Sequence, residues 1–151
     1  MVRSARFEDF DRIMEMMIDF ANHAPFNALH QPDYDDWYIR RLLGTFLKSG
    51  VLLVAEHENR VEGMLIAQLQ QDAWLPHVRT LKEVAWWVDP VARNTTLGYR
   101  LLKEYVKRGK AMRDAGEISA FTLTNMEISP DFDLEKRGWR PVERNYVYEG
   151  A

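Results

Sequence analysis

Arg93, Thr95, Thr96, Gly98 and Arg100 crowd into one short stretch between an apolar run and a helical pattern. Cations, hydroxyls and a glycine in that order suit the binding of an anion, phosphate above all. Residues 84–88 read as a strand, and Asp89-Pro90 ends it. Proline has no amide proton for the ladder and restricts the residue before it. The polar loop Arg93-Asn94-Thr95-Thr96 follows, and a helix opens near Leu97-Gly98. First-turn amides of a helix have no intrahelical acceptor, and the dipole there favours negative charge. Gly98 lets a ligand approach the backbone closely. Taken in isolation, the same stretch also reads as an ordinary capped helix, with threonine as the cap.

Apolar spacing gives the elements that must position this stretch. Residues 2–5 suit a short first strand. Residues 7–22 read as a helix, since Phe10, Ile13, Met14, Met17, Ile18 and Ala21 recur at three- and four-residue spacing. A proline-containing loop is expected at 24–32 and a second helix at 33–48, stopped by Ser49-Gly50. Strands follow at 51–56 and 61–70, joined as a hairpin by residues 57–60. Their apolar runs predict a sheet covered on at least one face. Residues 71–79 form a loop, 83–88 the central strand, 97–113 a long helix and 118–124 a strand. A short helix at 130–136, ended by Gly138, and a last strand at 141–149 complete a mixed α/β order. Nothing in it resembles a repeat or a linker, so one domain over 1–151 is expected.

Composition removes several classes of function. The chain has 151 residues, enough for one domain with a sizeable core. Net charge −3 and a pI near 5.8 argue against nucleic acid as a general partner. There is no cysteine, which excludes disulfides, thiolate metal sites and a cysteine nucleophile. No stretch approaches the ~20 apolar residues that span a bilayer, and the N-terminus lacks a signal core. A cytoplasmic protein without a membrane partner is expected. Neither His30 nor His77 has a companion at metal-ligand spacing, so no metal is expected.

The order Trp86-Trp87-Val88-Asp89-Pro90, then Arg93, Gly98 and Leu101-Leu102, resembles the acetyl-CoA loop of the GNAT acyltransferase superfamily. That pattern is Arg/Gln-x-x-Gly-x-Gly/Ala after a Val-x-Pro strand end. Thr96 stands where the first glycine is expected, so its side chain must point away from a pyrophosphate or bond to it. Residues 134–143, Leu-Glu-Lys-Arg-Gly-Trp-Arg-Pro-Val-Glu, resemble the family's late segment. The resemblance covers nearly the whole chain. It implies a GNAT-like fold, with a mostly antiparallel twisted sheet splayed at the cofactor strand and about four flanking helices. It also implies acetyl-CoA as co-substrate, bound by Trp87, Val88, Arg93, Asn94, Thr95, Thr96, Leu97, Gly98, Tyr99 and Arg100.

The implied reaction is N-acetylation of a primary amine, on a small molecule or a peptide, by direct attack. The family draws a hydrogen-bond donor for the thioester from the backbone near the Val-x-Pro end, here Val88 and with it Trp87. Glu83, on the central strand, is the candidate base, where partial burial would raise its pKa; a solvated strand-end residue is the alternative. The family's usual proton-donating tyrosine position is Leu134 here. Tyr146, with Tyr148 and Tyr99, could replace it, or the thiolate leaves unaided. Lys103 and Lys107 could meet a 3′-phosphate, and Asp19 with His23 reads as a surface pair. Asp33, Asp35 and Asp36 with Phe26, Trp37 and Trp74 would suit a cationic acceptor. Two other readings stay open: a catalytically weak or inactive GNAT-fold protein that binds CoA, and an interaction module docking through the Trp74 surface. Homodimerisation is also left open.

Overall fold

The computed structural model describes residues 1–24, 34–126, 130 and 132–150. Among the described residues, five strands lie in the order β1 (Val2–Ser4), β2 (Val51–His57), β3 (Arg60–Gln71), β4 (Arg79–Val88) and β5 (Ala120–Thr122). Neighbours are antiparallel except β4 and β5, which are parallel. The α-helices among them, α1 (Phe10–His23), α2 (Asp36–Ser49) and α3 (Leu97–Asp114), cover the sheet. The α1 and α2 face buries Ile13, Met16, Leu43, Val54, Met64, Ala85 and Trp87. The α3 face buries Leu53, Leu65, Leu81, Leu101 and Tyr105. Cover on both faces explains why β2 and β3 read as continuous apolar runs instead of alternating.

Local chemistry places the joints. The β2–β3 turn uses Glu58 and Asn59 at φ 50° and 64°, the paired left-handed conformation that matches hairpin twist. Asp35 caps α2, its Oδ1 accepting the Tyr38 amide at 2.9 Å. Arg3 on β1 donates to Asp9 at 2.7 Å and to Glu56 at 2.7 Å, tying the start of α1 to β2. That bond to Arg3 holds the buried Asp9 carboxyl below the usual carboxylate range.

The register of β4 shifts against β3 between Ile66 and Ala67: Ile66 opposes Ala85 and Ala67 opposes Glu83. Val84 is therefore the extra residue of a β-bulge. Parity reverses across it. Leu81 packs on the α3 side before the bulge, Trp86 and Val88 pack there after it, and Ala85 and Trp87 face α1.

The structure departs from the sequence expectations in four places. β4 begins at Arg79, not 83, because 79–82 pair with β3 and 80–82 also with β5. β5 is shorter than 118–124. Of the expected helix at 130–136, the described residues form only a 3-10 turn, Glu135–Arg137, behind the left-handed Asp133 at φ 51°, and residue 131 lies outside the described residues. The expected strand at 141–149 has no ladder partner among the described residues. Pro141 lacks a donor, β5 offers a three-residue edge, and Tyr146 and Tyr148 stand 87% and 92% exposed. The loop at 24–32 and the first residues of the second helix fall largely outside the described residues.

Helix α3 lies close on β5 because residue 109 is glycine. A Cβ there would come within 2.6 Å of the Phe121 ring. Gly109→Ala is expected to destabilise the fold by about 1–3 kcal/mol, the usual range for overpacking, read as a lowered chemical-denaturation midpoint. Combining it with Phe121→Leu should recover part of that loss, a non-additivity that identifies the contact.

Candidate functional site

The last β4–β5 pair is Lys82 with Thr122. Beyond it the strands part, and the side chains at the fork take up the bonds the ladder no longer makes. Tyr105 of α3 donates its hydroxyl to Thr122 O at 2.6 Å and lies 3.3 Å from Leu81 O, pinning both strands at the root. Burial pushes its pKa up. Glu83 is next. It is 3% exposed, and its Oε2 accepts the Thr124 amide across the gap at 2.9 Å. Desolvation raises its pKa to about 7, against the opposing pull of that amide and of Lys82.

Farther along, the Asp89 amide donates to Glu62 O of β3 at 2.8 Å. In an antiparallel ladder the preceding residue points the other way, so the Val88 backbone faces the fork. Its carbonyl accepts Arg93 Nε at 3.0 Å. The Arg93 guanidinium lies over the Trp87 ring, 4.6 Å from its centroid. Trp87 also meets His23 at 5.2 Å and Phe20 at 6.5 Å. Arg93 is thus turned back on β4, with its bond at the strand end.

The helix N-terminus supplies free donors. Arg100 N–H bonds to Thr96 O, opening α3, and Thr95 Oγ1 accepts Leu97 N–H at 3.2 Å while donating to Ala92 O at 2.6 Å. Gly98 and Tyr99 are left as first-turn amides without an intrahelical acceptor. Asn94, Thr95 and Thr96 are exposed, so Thr96 presents its side chain to solvent. These orphan amides and the basic Arg100 fit a diphosphate by donor chemistry and charge.

The remaining expected residues are dispersed. Tyr146 and Tyr148 sit on the exposed tail, not in the fork. Tyr99 packs under Arg137, whose guanidinium is 4.6 Å from its ring centroid. Lys103 lines a cleft of about 150 Å³ with Tyr99, Leu102, Val106, Arg137 and Trp139. Lys107 lies 3.8 Å from Glu104. His23 Nδ1 bonds the backbone oxygen of Asp19 at 2.8 Å, so its partner is not the Asp19 carboxylate. Asp35 is spent as a cap, Asp36 pairs with Arg40 at 2.7 Å, and Trp37 lies under Arg41. Phe26, His30 and Asp33 fall outside the described residues. Sequence reading missed Tyr105, Thr124 and the stacked pair Trp86–Phe132. A tyrosine at helical core spacing carries no signal that its hydroxyl will span two strands.

Comparison with known proteins bears on the family and the fold. A family model described as the acetyltransferase (GNAT) family matches residues 11–132. Among solved structures, an acetyltransferase from Trypanosoma brucei is 18% identical with a TM-score of 0.67, covering 99% of this chain and 98% of its own. A ribosomal-protein-alanine N-acetyltransferase from Brucella melitensis is 14% identical, TM-score 0.67, covering 99% of each. A predicted acetyltransferase with acetyl-CoA from Clostridium acetobutylicum is 13% identical, TM-score 0.65, covering 99% and 95%. At these identities the likeness is one of fold. No curated protein sequence matches. Among the described residues, no helix is long and apolar enough to cross a membrane.

Burial of Glu83 has a thermodynamic consequence. The folded state holds its proton up to about pH 7, while the unfolded chain releases it near 4.5. Stability from this group is full below the unfolded value, falls as pH rises between the two, and is then lower by roughly 3 kcal/mol, at 1.36 kcal/mol per unit. Glu83→Gln keeps an acceptor for Thr124 and removes the ionisation. It should melt with the wild type near pH 5 and above it at pH 8.

Proposed function

This chain belongs to the acetyltransferase (GNAT) family, and from that premise we propose that it moves an acetyl group from acetyl-CoA to a primary amine by direct attack, without an acyl-enzyme. The observation that carries this reading is the fork, where a buried carboxylate and a backbone amide meet the same gap between β4 and β5. The acceptor is the amine of a small molecule or a peptide. One domain over 1–151 and a cytoplasmic location go with the reading.

The thioester supplies an activated acetyl carbon. The amine nitrogen bonds to that carbon as the carbon–sulfur bond breaks. Val88 N–H donates to the carbonyl oxygen where negative charge grows, while the Trp87 backbone, by the same alternation that turns Val88 to the fork, faces β3. Glu83, directly or through one water, takes the proton that the nitrogen sheds. Its pKa near 7 suits that task at neutral pH. The sulfur leaves as a thiolate, which a reference thiol pKa of ~8.5 permits without an acid. This suits a chain that has Leu134 in place of a tyrosine; Tyr146 could protonate the sulfur only if the exposed tail moved. Gly98, Tyr99 and Arg100 would hold the diphosphate with Asn94 and Thr96, the Leu97 amide and the Thr95 hydroxyl being already spent on the loop, and Arg93 would fix the Val88 carbonyl.

The off-pattern Leu134 and Thr96 support a second reading, a GNAT-fold protein that binds CoA or a protein partner with little or no turnover. Thiol release across an amine panel separates the two. The first reading expects turnover that rises with pH through an apparent pKa near 7. Glu83→Gln should lower kcat by about 10²–10⁴ and flatten that rise, the usual contribution of a positioned base. Thermal stabilisation by acetyl-CoA with no turnover on any amine would favour the second reading.

A further inference from the structure

We propose that Phe132 is a plug in the cofactor channel, so that its departure sets the affinity for the acyl donor; this rests on the acetyl-CoA reading above. Its ring stacks on Trp86 of β4, with centroids 4.9 Å apart at 28°. The ring's Cζ is 3.2 Å from where a Cβ on Gly98 would lie, and Val88 Cγ2 is 3.7 Å from the same point. One side chain therefore lies against Trp86 of β4 and the first turn of α3 together. Val88 and that turn are the places assigned above to the thioester and the diphosphate.

The ring is not part of the fold's interior. It belongs to neither apolar cluster, and it is only half-buried. It is held from behind. Arg137 Nε donates to the Phe132 carbonyl at 2.6 Å, and the Arg137 guanidinium lies over Tyr99. Asp133 follows in a left-handed conformation at φ 51°, with its carboxylate 2.7 Å from Lys136 Nζ. An aromatic ring is a weak acceptor for the free Gly98 and Tyr99 amides. A diphosphate is a strong one. The ring thus lies beside Gly98 without satisfying those amides, and an anionic ligand can displace it.

Apparent affinity falls by the fraction of molecules that are open. A plug in place nine-tenths of the time weakens binding about tenfold. The test is acetyl-CoA titration by calorimetry of the wild type, Phe132→Ala and Phe132→Leu, each checked for an unchanged fold by circular dichroism. Phe132→Ala should bind about tenfold tighter, with Phe132→Leu between. The Trp86 indole N–H resonance, assigned by its loss in Trp86→Phe, should move on adding acetyl-CoA to the wild type towards its position in ligand-free Phe132→Ala. If the wild type binds and Phe132→Ala binds equally or more weakly, the ring is a wall of the site and the plug is overturned while the cofactor reading stands. If neither binds at millimolar acetyl-CoA, the cofactor reading falls and the plug with it.

Discussion

Strand β4 loses a neighbour at Lys82, and most of the site follows from how the chain answers that loss. A strand edge freed in the middle of a domain leaves polar backbone groups that must find other partners. Here the partners are side chains from several elements. Tyr105 reaches from α3 to carbonyls on both strands. Glu83 reaches from β4 to the Thr124 amide. Arg93 reaches back from the loop to the Val88 carbonyl. Among the described residues, the Val88 amide and the first turn of α3 keep donors for a ligand. The bulge at Val84 belongs to the same arrangement, since it turns Glu83 to the α3 side while Trp87 faces α1.

A strand bare on one edge needs a firm anchor on the other, and Asp89 provides it. Its amide bonds to Glu62 O, and its buried carboxylate accepts both Trp87 Nε1 and the Arg12 guanidinium. Arg12 also donates to Val61 O at 2.9 Å. Helix α1 is thereby fastened to the ends of β3 and β4 just where the chain turns at Pro90. Such a buried pair adds little net stability over an apolar contact, but removing one member leaves an uncompensated charge. Its value here is positional, because the Val88 backbone direction depends on where Asp89 is held.

Much of this was legible in the sequence, for identifiable reasons. Periodicity located α1, α2 and α3, and Asp89-Pro90 and Gly138 marked real chain turns, because those signals are local. The Arg93–Arg100 stretch was recognisable since helix-terminus chemistry depends on neighbours in sequence. The fork's internal bonds were not, because Tyr105, Glu83 and Thr124 meet only through the parallel pairing of β4 and β5. The bulge was hidden because an apolar run reads the same with or without an extra residue. The last strand was expected from Val142, Tyr146, Val147 and Tyr148, yet residue pattern cannot supply an edge to pair with, and β5 is too short to offer one.

Glu83 brings stability and chemistry into conflict at one residue. Across the gap it does one structural job, accepting the Thr124 amide, and a glutamine oxygen accepts that bond equally well. A carboxylate adds an ionisation that burial opposes and that lowers stability as pH rises from about 4.5 to about 7. A purely structural role therefore gives no reason to prefer an acid at this position. Natural folds break local rules of this kind mainly where a site needs the broken state. The proposed reaction would use such a state, a buried group that exchanges a proton near pH 7. That is the physical argument for assigning Glu83 the base, and it follows from the fork rather than from the family pattern, which places its motif residues elsewhere.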